Sequence, residues 1–220
     1  MNYLAHAWYH LDQPYRVAGT ALPDWLSVAD RRLRLRHRHV RELAAADLGS
    51  QSQIAQGVLQ HWYDDGWFHQ HPVFAELSSR FAWRLRQEFD GERSLRPAFL
   101  GHILVELLLD AALIEERPQN LDRYYATLET IDVAVVAEAA ERMAGRPAER
   151  LAPWVRRFLA ERFLYDYVDD GRLAKRLNQV LQRVGLEPLD QGLEKLLAEF
   201  RPQVRSARRQ LLDDKAAHTV

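Results

Sequence analysis

The fold turns on residues 98–114, "AFLGHILVELLLDAALI", the most apolar run in the chain. Its composition invites comparison with a membrane span. It falls short of the roughly 18–20 residues that a span needs, and it carries His102, Glu106 and Asp110 within it. No membrane span is therefore expected. Leu100, Ile103, Leu104, Val105, Leu107, Leu108 and Leu109 cover nearly the whole circumference of a helix, and a helix apolar on every side has to be enclosed by other elements. The run reads as a buried helix.

The segments on either side have the same character. Before the run, "FDGERSLRP" (89–97) is a loop by its Gly, Ser and Pro, with Ser94 placed to cap the helix; after it, Pro118 marks a break. Helical periodicity predicts helices near 2–10, 14–29, 31–46, 51–70, 72–89, 95–115 (the apolar run itself), 120–131, 132–144, 147–164, 166–184 and 189–213. Pro14 and Pro147 suit first helical turns, and Pro72 and Pro188 separate neighbouring helices. No alternating strand pattern or Asn-Gly hairpin signal interrupts them. The expected fold is all-α, a compact multi-helix bundle, with one domain over 1–212 and a frayed tail over 213–220.

Composition excludes several function classes. Thirty basic and 31 acidic residues leave a net charge of −1, so no nucleic-acid partner is expected. The chain has no cysteine, which removes disulfides and thiolate metal sites and leaves His, Asp and Glu as the available ligands. The opening "MNYLAHAWYHLDQP" lacks a basic segment followed by an apolar one, so no signal peptide is read and a cytoplasmic location is the expectation. There is no Gly-rich phosphate loop and no Gly-x-Ser-x-Gly elbow.

Within the apolar run, His102, Glu106 and Asp110 recur every fourth residue, and each step of four turns a helix by only about 40°. "HWYDDGWFHQHPVF" (61–74) repeats that spacing with His61, Asp65 and His69, and Asp64 sits beside His61 at i+3. Ionisable groups in such apolar surroundings need partners, because an unpaired buried charge costs roughly several kcal/mol. Two facing helices that each offer a histidine and a carboxylate one turn apart can build a mixed nitrogen–oxygen metal site from His61, Asp65, His102 and Glu106. That donor set suits Mn, Zn or Fe better than Ca. The same residues could instead form a buried hydrogen-bond and ion-pair network in a non-catalytic helical binding protein.

Three stretches taken together resemble a known family. "MNYLAH" opens the chain, "VAGTALPDW" (17–25) follows, and "GVLQHWYDDGWFHQHPVF" (57–74) comes next. The order is similar to that of the bacterial acyl-carrier-protein phosphodiesterases, outlying members of the HD phosphohydrolase superfamily. The match puts His6, Gly19, Asp24, His61, Asp65 and the His71-Pro72 pair on motif positions. The resemblance implies an HD-domain-like, all-α enzyme that releases phosphopantetheine from holo-acyl carrier protein with a divalent cation, typically manganese. It further implies that Asp24, His61 and Asp65 bind metal with carboxylates of the later apolar helix, with His6 alongside as ligand or acid/base. Thr20 stands where the family has Asn, His69 where it has Asp, and His102 and Glu106 where paired aspartates belong. "FLGHILVELLLDAALI" instead resembles the His-x-x-x-Glu helices of zinc phospholipase C and the P1-type nucleases, and the extra histidine favours zinc or iron over magnesium.

The expected function is thus a metal-dependent phosphodiesterase acting on acyl carrier protein or on another phosphoester small molecule. Asp24, His61, Asp65, His102 and Glu106 are the expected ligands, and His6 and His69 the expected proton carriers or additional ligands. The basic stretch "RRLRLRHRH" (31–39) would suit an acidic docking partner, or it is a solvated face matched by Glu42 and Asp47. In "RFLAERFLYDYVDDGRLAKRLNQVL" (157–181) the aromatics are expected to pack the core, and Asp166, Asp169 and Asp170 to mark a helix junction at Gly171.

Overall fold

Prolines and short turns set the helix ends throughout. The computed structural model describes residues 1–90, 95–189 and 192–216, with backbone alone from 213. Eleven α-helices and one 3-10 turn are present, with no strand among the described residues: α1 (Tyr3–Ala7), α2 (Pro14–Ala29), α3 (His37–Ala45), α4 (Ser50–Gln70), α5 (Pro72–Glu88), α6 (Pro97–Glu116), α7 (Pro118–Glu129), α8 (Val133–Ala144), α9 (Leu151–Glu161), the 3-10 turn (Phe163–Val168), α10 (Asp170–Arg183) and α11 (Leu193–Ala216). The all-α class is as expected. Pro14, Pro72 and Pro97 each open a helix in its first turn, where the missing N–H has no bond to lose. His71 caps α5, its Nδ1 accepting from Val73 N–H at 3.3 Å.

Several helix ends differ from expectation: α1 stops at Ala7 rather than near 10, and α10 and α11 begin at Asp170 and Leu193 rather than near 166 and 189. The basic run does not start a helix at residue 31. Asp30 ends α2, and its carboxylate accepts from the Arg32 N–H at 3.0 Å, so residues 31–36 form a turn and an extended strap before α3 begins at His37. The helix expected from 147 begins at Leu151: Gly145, at φ 71°, closes α8, and the Glu141 side chain holds the Ala148 N–H in the turn that follows. Arg162, at φ 44°, then stops α9, and the chain winds through the 3-10 turn before Asp169 caps α10. The expected Ser94 cap lies outside the described residues; Arg96 precedes the first residue of α6. Of the tail expected over 213–220, α11 takes in the backbone to Ala216, and 217–220 lie outside the described residues.

The chain forms two compact units, and the first passes into the second inside α4, between Gly66 and Trp67. In the first unit (Tyr3–Gly66 and Gln119–Phe163) α2 packs against α1, α8 and α9. Its core centres on Phe158, against which Tyr3 and Trp25 pack at ring separations of 4.9 and 5.4 Å. α2 and α4 cross backbone to backbone at Gly19 and Gly57. A Cβ on Gly19 would overlap the carbonyl oxygen of Ile54, and one on Gly57 would overlap that of Arg16. Only glycine at both positions allows this approach.

In the second unit (Trp67–Pro118 and Leu164 onward) α5, α6 and α11 pack on one another. Phe81 stacks on Phe200 at 3.9 Å, and Arg84 clamps Glu199 through two nitrogens at 2.9–3.2 Å. Gly101 of α6 lies against the Ser78 carbonyl of α5, a contact that a Cβ would not fit. α6 is the one described helix long and apolar enough to cross a membrane, and 67% of its apolar window is buried in the fold. The acidic residues after α9 are ion-paired: Asp166 accepts from Arg176 Nε at 2.7 Å, and Asp170 from Arg201 Nε at 3.1 Å.

Candidate metal centre

The first unit gathers His6, His61 and Asp65. His6 reaches the site from α1, whose five residues are all buried. His61 and Asp65 come from consecutive turns of α4, on a stretch that the Gly19–Gly57 crossing holds close to α2. Both imidazoles are buried, and they stack at 4.1 Å.

Each ring is tied by its Nδ1. His61 Nδ1 lies 2.8 Å from the carbonyl oxygen of Thr20; a carbonyl only accepts, so this nitrogen carries the proton. His6 Nδ1 donates to Asp64 Oδ2 at 3.0 Å, and Asp64 is itself fully buried and accepts from Gln60 Nε2 at 2.6 Å. The Nε2 atoms of both rings turn to Asp65: His6 Nε2 is 3.4 Å from Oδ1, and His61 Nε2 is 3.4 Å from Oδ2, each an N–H when its ring is protonated and a lone pair when it is neutral. His6 Nε2 is buried and makes no hydrogen bond among the described residues. With the rings neutral, nitrogen lone pairs and carboxylate oxygens converge there, and a positive charge, either protons on the rings or a cation, is needed between them.

The donor set fits a divalent cation. Bonds of 2.0–2.1 Å in tetrahedral arrangement put neighbouring donors about 3.3 Å apart, close to the spacings present. A histidine whose second nitrogen is fixed by a carboxylate or a carbonyl is the usual arrangement around a metal. Burial alone would raise the Asp65 carboxyl, but the adjacent His6 and His61 rings and the Met1 amino group, 2.7 Å away, hold it far below its ordinary value. Burial works against charging His61, yet Asp65 and, through its field, Asp24 raise its pKa above the ordinary 6.5. Asp24 thus acts on His61 electrostatically and stands outside the converging trio.

The other expected residues gather in the second unit. His69, His102 and Glu106 offer donors within 4.8 Å of one another. His69 Nε2 donates to Glu106 Oε1 at 2.9 Å, and His102 Nε2 lies 3.2 Å from the same oxygen. Burial alone would raise the Glu106 carboxyl; hydrogen bonds from His102 and His69 help to hold it below its usual range. Asp110, one turn on, is fully buried. The structure therefore groups His61 and Asp65 with His6, and His102 and Glu106 with His69.

Sequence reasoning placed Asp64 beside His61 but gave it no task; the doubled aspartate at 64–65 was the available signal. Gln60 and the Thr20 carbonyl carried none. A pocket of about 240 Å³ in the first unit is lined by Pro23, Leu26, Leu33, Arg34, His37 and Trp62, with the His37 ring 4.0 Å from Trp62. Trp62 follows His61 on α4, and Pro23 precedes Asp24 on α2, so the pocket draws on the helix that carries two of the trio and on the one that carries Asp24. No family model matches the chain, and neither a curated protein nor a solved structure matches it.

Proposed function

We propose that the protein is a metal-dependent phosphoesterase whose cation is held by His6, His61 and Asp65. The observation that carries this is the pair of buried imidazoles with both Nδ1 atoms tied back and both Nε2 atoms aimed at one carboxylate. When bound, a divalent cation supplies Lewis-acid polarisation of a phosphoryl oxygen and an activated water. The chain's own residues do the rest. Asp64 and the Thr20 carbonyl fix the two rings, and burial excludes bulk water from the His6 side. Asp24 lends negative potential that favours the cation. His6 is on this reading a ligand rather than a proton carrier, since neither of its nitrogens is left for substrate. Arg34 and Trp62 line a pocket suited to a phosphate bearing an organic group.

The order of the three sequence stretches supports a phosphodiester substrate of the holo-acyl-carrier-protein kind, and the exposed arginines at 31, 32, 34, 36 and 38 suit an acidic protein partner. Incubation of holo-acyl carrier protein with Mn²⁺-, Zn²⁺- or Fe²⁺-loaded protein should release the apo form, and His61→Ala should abolish release. Hydrolysis of generic phosphodiesters alone would move the substrate to a sister class. Loaded protein that hydrolyses neither would end the phosphoesterase reading. The partnered Nδ1 atoms also favour a second reading, a structural polar network in a binding protein; purified protein that takes up no metal at micromolar concentration would end the metal reading in its favour.

A further inference from the structure

We propose that His69, His102 and Glu106 form a second, self-contained binding site for a zinc-class divalent cation, complete within the second unit. It stands whether or not the His6–His61–Asp65 trio acts on phosphoesters. Two imidazole nitrogens approach one carboxylate oxygen at 2.9 and 3.2 Å, near the edge of a zinc tetrahedron, about 3.3 Å for bonds of 2.0–2.1 Å. The donors need little movement to take up the ion.

The rings are held in place by packing. Phe74 meets His102 edge-on at 4.9 Å and His69 at 5.2 Å, and the two imidazoles lie 4.5 Å apart. The Gly101 contact with the Ser78 carbonyl sets how closely α6, which carries His102 and Glu106, approaches α5. Leu104, Val105, Leu107 and Leu108 around Glu106 are buried, so the carboxylate is anchored in an apolar wall.

The chemistry of the set points to zinc and its neighbours. Two neutral imidazoles and one carboxylate suit Zn²⁺ or Co²⁺ and are a poor match for Ca²⁺ or Mg²⁺, which prefer all-oxygen shells. The side chains of His69 and His102 remain 34% and 40% exposed against 18% for Glu106, so the site opens outward. A fourth coordination position faces solvent and can take water or an anionic ligand. Both its imidazoles are more exposed than those of His6 and His61 in the first unit.

Equilibrium dialysis of apo-protein against Zn²⁺ tests this directly. Wild type should retain two equivalents. His102→Gln and His69→Gln should each retain one, the lost equivalent binding at least about 100-fold more weakly. Both positions are partly exposed, and far-UV circular dichroism checks that the variants are folded. A visible Co²⁺ spectrum with tetrahedral intensity, lost in Glu106→Gln, gives an independent readout on folded protein. Unchanged stoichiometry and affinity in both histidine variants would overturn the proposal, as would wild type that binds no zinc. One equivalent in wild type and none in His102→Gln would support this site and remove the metal from the first unit instead.

Discussion

At the scale of single residues, Asp64 is the most exposed to test. Fully buried, it receives the His6 Nδ1 proton and the Gln60 amide, and so decides which nitrogen of His6 is free. Asp64→Asn keeps the volume but can present an N–H where an acceptor is needed. Metal affinity of the first unit should fall about 10–100-fold with the fold intact, as for other orienting partners of ligand histidines. Calorimetric titration with Zn²⁺ or Mn²⁺ measures it, and an affinity equal to wild type would show that Asp64 does not set the ring.

His61 and Asp65 also give the metal-free protein a defined pH response. The Asp65 carboxyl lies below its ordinary 3.8, so its contribution to stability is present above about pH 4 and is lost on further acidification. The His61 pKa lies above 6.5, so its contribution is complete below about pH 6.5 and fades as pH rises through the folded-state value. With chelator present, the melting temperature of wild type relative to His61→Gln should therefore shrink between pH 6.5 and 8. A gap that widens over that interval would contradict the pairing.

At the scale of elements, α4 carries its own control experiment. A Cβ on Gly57 would also lie 2.7 Å from Gly19 Cα, whereas nothing lies within 4 Å of one on Gly66. Gly57→Ala should destabilise by about 1–3 kcal/mol through overpacking. Gly66→Ala should stabilise by about 0.5–1 kcal/mol, because the chain loses a helix-weakening glycine. Chemical denaturation of the two variants reads both signs; equal shifts would mean that α2 and α4 do not meet backbone to backbone.

The elements also show what the sequence could and could not disclose. Helical period revealed α2, α4, α5 and α6 almost to the residue, because apolar spacing and first-turn prolines are local signals. The His–carboxylate pairs inside α4 and α6 were legible for the same reason. Their grouping was not: that His61 and Asp65 meet His6, and that His102 and Glu106 meet His69, depends on which helices touch. Glycine contacts at Gly19, Gly57 and Gly101 decide that, and a glycine in a helix announces closeness without naming its neighbour. The basic run misled because Asp30 redirects the backbone through one side-chain bond, a detail that periodicity does not register.

At the scale of the whole molecule, the chain passes between the two compact units at 66/67 inside α4, at 118/119 at the start of α7 and at 163/164 inside the 3-10 turn. Loading with metal should raise the melting temperature in proportion to occupancy, with about 2.7 kcal/mol gained at a hundredfold excess of free ion over its dissociation constant. It should also release protons, because the cation takes the place of the charge that Asp65 otherwise holds on His61. Zinc titrations run in buffers of different ionisation enthalpy would show that release as a buffer-dependent heat. Identical heats in all buffers would mean that the histidines are already neutral in the metal-free state.

The Gly19–Gly57 crossing has a consequence for how such a centre can drift over generations. Main-chain atoms in mutual contact act as a hard stop, so the gauge between α2 and α4 does not depend on the size of any side chain. Core residues of the first unit can then exchange one hydrocarbon shape for another while the frame around His61 and the Thr20 carbonyl keeps its dimensions.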